Sequence, residues 1–236
     1  MMKVLLSSAY LAPVQYYAWM LAADEVLLEQ HDHYMKQTYR NRCTIAAADG
    51  PLSLTVPIIK PETDKCPMKD IRISDHGNWR HLHWNALKSA YRMSPFWEYY
   101  EDDFRPFYEK KWEFLMDYNQ ELQEKVCELI DMSPRIKRTE EFALPINSLI
   151  NSDINKVQEN VDDGILKPQE TSFFDLREVI HPKKELASDG KFKVVPYYQV
   201  FQERQGFLPN MSIMDLLMNM GPESLLVLRQ SLKIED

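Results

Sequence analysis

The chain has 236 residues, 44% of them hydrophobic and 27% charged, with a formal net charge of −8 and a pI near 5.3. That composition supports a sizeable core, and the acidic balance argues against a broad nucleic-acid or anionic-membrane surface, which would need clustered positive charge. Six glycines, none spaced as GxGxxG or GxxxxGK[ST], disfavour backbone phosphate loops, and three dispersed cysteines fit neither a CxxC zinc site nor a dithiol centre.

The first residues, KVLLSS (3–8), read as a short buried strand, followed by a turn through Pro13. VQYYAWMLAA reads as a helix and DEVLLEQ as a second strand, so a compact βαβ unit with a parallel pair is predicted. Ser7, Ser8, Tyr10, Pro13 and Gln15 interrupt the apolar character of this start, against a signal peptide. No stretch reaches the roughly 18–20 apolar residues of a membrane span, and a cytoplasmic protein is expected. Ligands of parallel sheets sit at the carboxyl ends of strands, here Ser7 to Tyr10 and Gln30 to His33.

The second of those ends opens the run HDHYMKQTYRNRCTI (31–45), dense in polar side chains. His31, Asp32 and His33 do not converge on a metal in an extended segment, because neighbouring side chains point to opposite faces. No metal is expected. Asp49–Gly50 marks a hairpin turn, with Tyr39, Asn41 and Cys43 on one strand face and Arg40, Arg42 and Thr44 on the other. The arginines are either solvated or anion-binding. Arg42 would grip a carboxylate or phosphate, and Lys36 would stabilise an anion or, if desolvated, act as a base.

Residues 60–77 read as a connecting loop. A helix from Trp79, a second opened by Ser94–Pro95 and interrupted at Pro106, and a long third over roughly 107–132 follow. Thirteen of the forty residues from 79 to 118 are aromatic, which favours helix packing over a ligand platform. His83, Leu87 and Tyr91 share one helix face, and His83 reads either as a buried, hydrogen-bonded histidine or as a general acid or base. RIKRTEEFAL suggests a returning strand, 145–195 loops, KVVPYYQVF (193–201) a late strand, Ser212 and Asp215 a helix cap, and GPESLLVLRQSL a last helix. The predicted fold is one α/β domain over 1–236: a β-rich part (1–76) with a mixed sheet, a helical aromatic insert (77–132) and a mixed C-terminal part (133–236).

Three separated motifs resemble the WbqC-like family. AYLAPVQYYAWMLAADEVLLEQHDHYMKQTYRNRCTI supplies Tyr10, Pro13, Asp24, Tyr34, Lys36, Asn41 and Arg42 in the family's order. NWRHLHWNALKSAYRMSPFWEYY supplies Trp79, His83, Trp84, Tyr91, Ser94 and Pro95, and YYQVFQERQGFLPNMSIMDLLMNMGPESL resembles its closing motif. The family's glutamine–proline pair before the first tyrosine is Ser8–Ala9 here. The resemblance implies a transferase of surface-polysaccharide (O-antigen) biosynthesis that passes glycine or another aminoacyl group to an amino sugar, with a sugar nucleotide or other anionic small molecule as substrate. Under it His83 and Lys36 would be catalytic, and Tyr10, Asn41, Arg42 and Tyr91 would bind substrate. A nucleotidyltransferase-like enzyme and a non-catalytic binding or assembly protein are the alternatives.

Overall fold

The computed structural model describes residues 2–63, 65–143, 173–186 and 190–233. The βαβ unit forms as its pattern predicts. Strand β1 (Lys3–Ser7) leads through helix α1 (Val14–Ala22) to β2 (Glu25–Glu29), and the two strands pair in parallel, Leu5 opposite Leu27. The apolar centres of both strands are buried because helices cover the sheet, as parallel pairing requires. Two short strands complete it: β5 (Ile136–Arg138) beside β2 and β6 (Phe174–Asp175) beside β1, both parallel, in the order β5-β2-β1-β6. The hairpin of β3 (Arg42–Ala47) and β4 (Gly50–Thr55) turns at Asp49–Gly50 and forms a separate two-stranded sheet.

Helices α2 (Trp79–Tyr91), α3 (Trp97–Glu109) and α4 (Leu115–Leu129) make the aromatic insert. The long third helix begins later than its periodicity predicts. Residues 71–73 pair with 113–115, Ile73 N–H to the Glu113 carbonyl (2.9 Å) and Leu115 N–H to the Ile71 carbonyl (2.9 Å). Trp112 folds back to stack on Phe107, with rings 5.8 Å apart and nearly coplanar. Pro106 does not interrupt α3: it removes the bond to the Asp102 carbonyl, but it sits in the final turn, and the helix runs on to Glu109, with Lys110 N–H donating to the Pro106 carbonyl.

After the short α5 (Gln202–Gln205), helices α6 (Ile213–Met220) and α7 (Ser224–Gln230) close the chain against α1. Ser212 caps α6 by accepting from Met214 N–H (3.3 Å). Asp215 does not complete a reciprocal cap: its carboxylate accepts instead from Tyr197 Oη (2.7 Å) and Gln199 Nε2 (2.6 Å). Those contacts explain why 193–201 is not a strand. Tyr197 and Gln199 are buried and Tyr198 is exposed, so the period of two is real, but the backbone pairs with no neighbouring strand. Of the loops predicted over 145–195, residues 145–172 and 187–189 lie outside the described residues, and the described remainder includes the short strand β6. No helix among the described residues is long and apolar enough to cross a membrane.

Candidate functional site

The direction of chain progression reverses at β1: the crossover through α1 places β2 on one side, and β6 arrives on the other. A crevice outside the carboxyl ends of parallel strands at such a reversal is the common ligand position of open α/β sheets. A cavity of about 580 Å³ opens there. Its walls come from the loop after β2 (His31, Asp32, His33, Met35, Arg40), from the end of β6 (Asp175, Arg177, Glu178) and from Phe142 beyond β5.

Two buried arginines anchor it. Arg40 is 3% exposed, and its guanidinium donates to Ser7 Oγ (2.9 Å) at the end of β1 and to the Asp32 carboxylate. Ser7 Oγ also donates to Asp32 Oδ2 (3.1 Å), so strand end, loop carboxylate and guanidinium form one knot. The second arginine, Arg177, donates through Nε (2.9 Å) and a terminal nitrogen (2.6 Å) to Asp175, and through its other terminal nitrogen to Glu29 (3.1 Å). Burial alone would lower the Arg177 pKa, but the bonds to Asp175 and the charges of Asp175, Glu29 and Asp32 raise it above its ordinary value.

Glu29, fully buried at the end of β2, organises the floor. It accepts from His31 N–H (2.8 Å), Thr139 Oγ1 (2.8 Å), Ala143 N–H (2.9 Å) and Arg177. A carboxylate with four donors is well satisfied despite burial, and here it ties the segments after β2, β5 and β6 together. The loop itself is held from outside by Met68 N–H on the Asp32 carbonyl (2.8 Å) and Lys69 N–H on the Gln30 carbonyl (3.1 Å).

Three buried polar atoms on cavity-lining residues have no hydrogen-bond partner among the described residues: His31 Nε2, Asp32 Oδ1 and Arg40 Nε. Seven further buried side-chain polar atoms without a partner are spread elsewhere among the described residues, and these three belong to the wall of one cavity. No group of three His, Cys, Asp or Glu side chains among the described residues converges to hold a metal.

The six residues singled out from the sequence are distributed differently, and none lines this cavity. Tyr10 and His83 do meet, 73 positions apart, with Tyr10 Oη 3.0 Å from His83 Nδ1, but they meet in the core. His83 is 5% exposed, stands edge-on to Trp79 and has its pKa lowered to about 4, chiefly by burial, while a hydrogen bond to the Thr55 backbone opposes the shift. Tyr10 Oη continues the chain to Tyr108 Oη (2.9 Å). Tyr91 is also buried, accepting from Ala46 N–H (3.3 Å) behind β3. Asn41 donates to the Val56 carbonyl (2.8 Å) and so fastens the hairpin. Arg42 Nε donates to Thr55 Oγ1 (3.2 Å) across the hairpin, and Lys36 is exposed on the loop that leads to Arg40. Ser8, in place of the family's usual glutamine–proline pair, accepts from Asn119 Nδ2 (3.0 Å) and helps to seat α4.

The residues that do gather at the strand ends are Glu29, Asp32, Arg40, Asp175 and Arg177. Strand alternation predicts Arg40 on one face with Arg42 and Thr44, but β3 starts only at Arg42, and the tight turn before it directs Arg40 inward. Glu29 carried one signal: a carboxylate closing the apolar run EVLL at the carboxyl end of a parallel strand. Arg177 carried none, because β6 is two residues long.

The WbqC-like family model matches residues 8–227. The chain belongs to the WbqC-like protein family. It is 25% identical over 221 residues to Uncharacterized protein Rv1507c of Mycobacterium tuberculosis, covering 93% of this chain and 94% of that one. No solved structure matches the chain. The WbqC-like family is associated with polysaccharide biosynthesis. The first motif thus contributes to two different parts of this WbqC-like fold: Tyr10 and Asn41 to packing, and the run 31–40 to the cavity wall.

Proposed function

We propose that this WbqC-like protein is a transferase of surface-polysaccharide biosynthesis that passes glycine or another aminoacyl group to an amino sugar held in the strand-end cavity. The observation that carries the reading is the set of unpartnered buried atoms, His31 Nε2, Asp32 Oδ1 and Arg40 Nε, on residues of one 580 Å³ cavity. A volume of that order suits a sugar-sized ligand, and a mixed set of acceptor and donor atoms suits its hydroxyl and amino groups. In the transfer, the sugar's amino group loses one proton to water and attacks the activated acyl carbon as the neutral amine, a C–N bond forms, the bond to the donor's leaving group breaks with its electron pair departing on that group, and the proton then shed by the nitrogen passes to His31 Nε2. Lys36, exposed on the same loop, and Arg42 are available to the anionic carrier outside the cavity. His83 and Tyr10 have no direct access to the substrate in this assignment and hold the loop's far side in place.

The nucleotidyltransferase alternative is disfavoured by the start of α1. Its first amides are occupied: Val14 N–H by the Met211 carbonyl (3.1 Å) and Gln15 N–H by Asn210 Oδ1 (2.8 Å). A phosphate would need those donors free.

Incubation with UDP- or dTDP-linked amino sugars and activated glycine should give a mass gain on the sugar. His31→Gln should lower kcat about 10²- to 10⁴-fold, the range of a general base, with an unchanged melting temperature. Absence of a mass gain with every donor–acceptor pair would remove the transferase reading.

A further inference from the structure

The charge balance of the cavity selects which part of such a ligand enters. Among the described residues its lining contains the carboxylates of Asp32, Asp175 and Glu178 against the guanidiniums of Arg40 and Arg177, and no lysine. Glu29 adds a fourth carboxylate from the floor through its bond to Arg177. Both cations are already engaged. All three nitrogens of Arg177 donate to Asp175 and Glu29, and Arg40 donates to Asp32 and Ser7. An entering phosphate would meet excess negative charge, and the unpartnered guanidinium donor it would find is the single Nε of Arg40, since Arg177 is held by Asp175 and Glu29 through all three nitrogens. An ammonium group meets the opposite situation. Asp32 is 6% exposed, lines the cavity, and its Oδ1 has no partner among the described residues.

From this we infer that the strand-end cavity selects a primary ammonium group, with Asp32 as its principal acceptor, so that the amino sugar enters and any diphosphate stays outside. The inference deepens the reading above and rests on it only for the choice of cavity. A cation at Asp32 Oδ1 completes the hydrogen bonding of a buried carboxylate that Arg40 satisfies on one oxygen only. Arg40 Nε, a lone donor, then suits a neutral hydroxyl oxygen next to the amine.

The test compares D-glucosamine, D-glucose and UDP by calorimetric titration and thermal shift on the intact protein, at a pH where the amine is protonated. Glucosamine should bind at least roughly 10-fold tighter than glucose, as expected for one charge-assisted hydrogen bond, and UDP should not compete with it. Asp32→Asn should abolish the preference for the amine. Glu178 is exposed, so Glu178→Gln will leave the fold intact and should weaken glucosamine binding several-fold even if Asp32→Asn fails to fold. Equal binding of glucose and glucosamine, displacement of glucosamine by UDP, or no binding by glucosamine would each overturn the inference. Glucosamine binding without glycine transfer would leave it standing and remove the transferase reading. Transfer without preference for the amine would do the reverse.

Discussion

His83 and Asp215 illustrate how burial turns single side chains into determinants of pH dependence. His83 is held near pKa 4 against an ordinary 6.5, so between those values the unfolded chain binds the extra proton and stability falls as pH falls. Asp215 is the opposite case: burial raises it to about 6 from 3.8, against the hydrogen bonds of Tyr197, Gln199 and Tyr91. Here the folded chain binds the extra proton, so stability rises as pH falls through 6 towards 4. Each shift corresponds to about 3 kcal/mol, and over this window the two contributions nearly cancel. Urea midpoints taken from pH 7 to pH 4 should therefore separate the variants. Relative to the wild type, His83→Gln should gain stability on acidification and Asp215→Asn should lose it. Parallel curves for all three proteins would mean that neither group titrates between pH 4 and 7.

At the scale of elements, the packing of α6 and the turn after it against the start of α3 depends on one glycine. Gly221 lies between α6 and α7 with φ +53°, and a Cβ there would approach the Phe96 ring to 2.5 Å. Phe96 is fixed in turn, its N–H donating to the Met218 carbonyl (3.1 Å) and its ring stacking on Tyr100. Gly221→Ala should destabilise the protein by about 1–3 kcal/mol from overpacking, with about 1 kcal/mol more from the left-handed backbone. Chemical denaturation measures the loss, and an unchanged midpoint would show that Phe96 moves aside freely. The break between α3 and α4 belongs to the same scale. Apolar periodicity runs through residues 107–132, but the pairing of 71–73 with 113–115 and the Phe107–Trp112 stack outweigh local helix preference.

For the molecule as a whole, Glu29 is the joint at which the sheet and the cavity depend on each other. It binds segments separated by more than a hundred residues, from His31 to Thr139, Ala143 and Arg177. Glu29→Ala leaves the His31, Thr139 and Ala143 donors without their acceptor and takes one of two carboxylate partners from Arg177, Asp175 remaining, and should cost about 3–5 kcal/mol of stability. Replacing Glu29 and Arg177 together with methionine should not recover the loss, because Asp175 then loses its bidentate partner and the His31, Thr139 and Ala143 donors stay unpaired. Both variants should lose ligand binding, since the loop after β2 and the end of β6 are no longer held in register. Equal stability of Glu29→Ala and wild type in urea titrations would show that the four bonds add nothing to folding.

The sequence by itself determined the βαβ opening, the Asp49–Gly50 hairpin and the aromatic helices, because each rests on a local period or a turn signal. It also pointed to the strand ends, Ser7 to Tyr10 and Gln30 to His33, as the expected ligand edge from parallel pairing alone, and the cavity opens beside the second of them. Which side chains face that edge was decided only by tertiary structure. A histidine on a helix face has the same local pattern whether it is buried beside a tyrosine, as His83 is, or open to solvent. An arginine in a polar run looks solvated until a carboxylate from another segment is placed against it, as Asp32 is against Arg40 and Glu29 against Arg177. Such pairings are long-range electrostatic contacts, which leave no period in the chain.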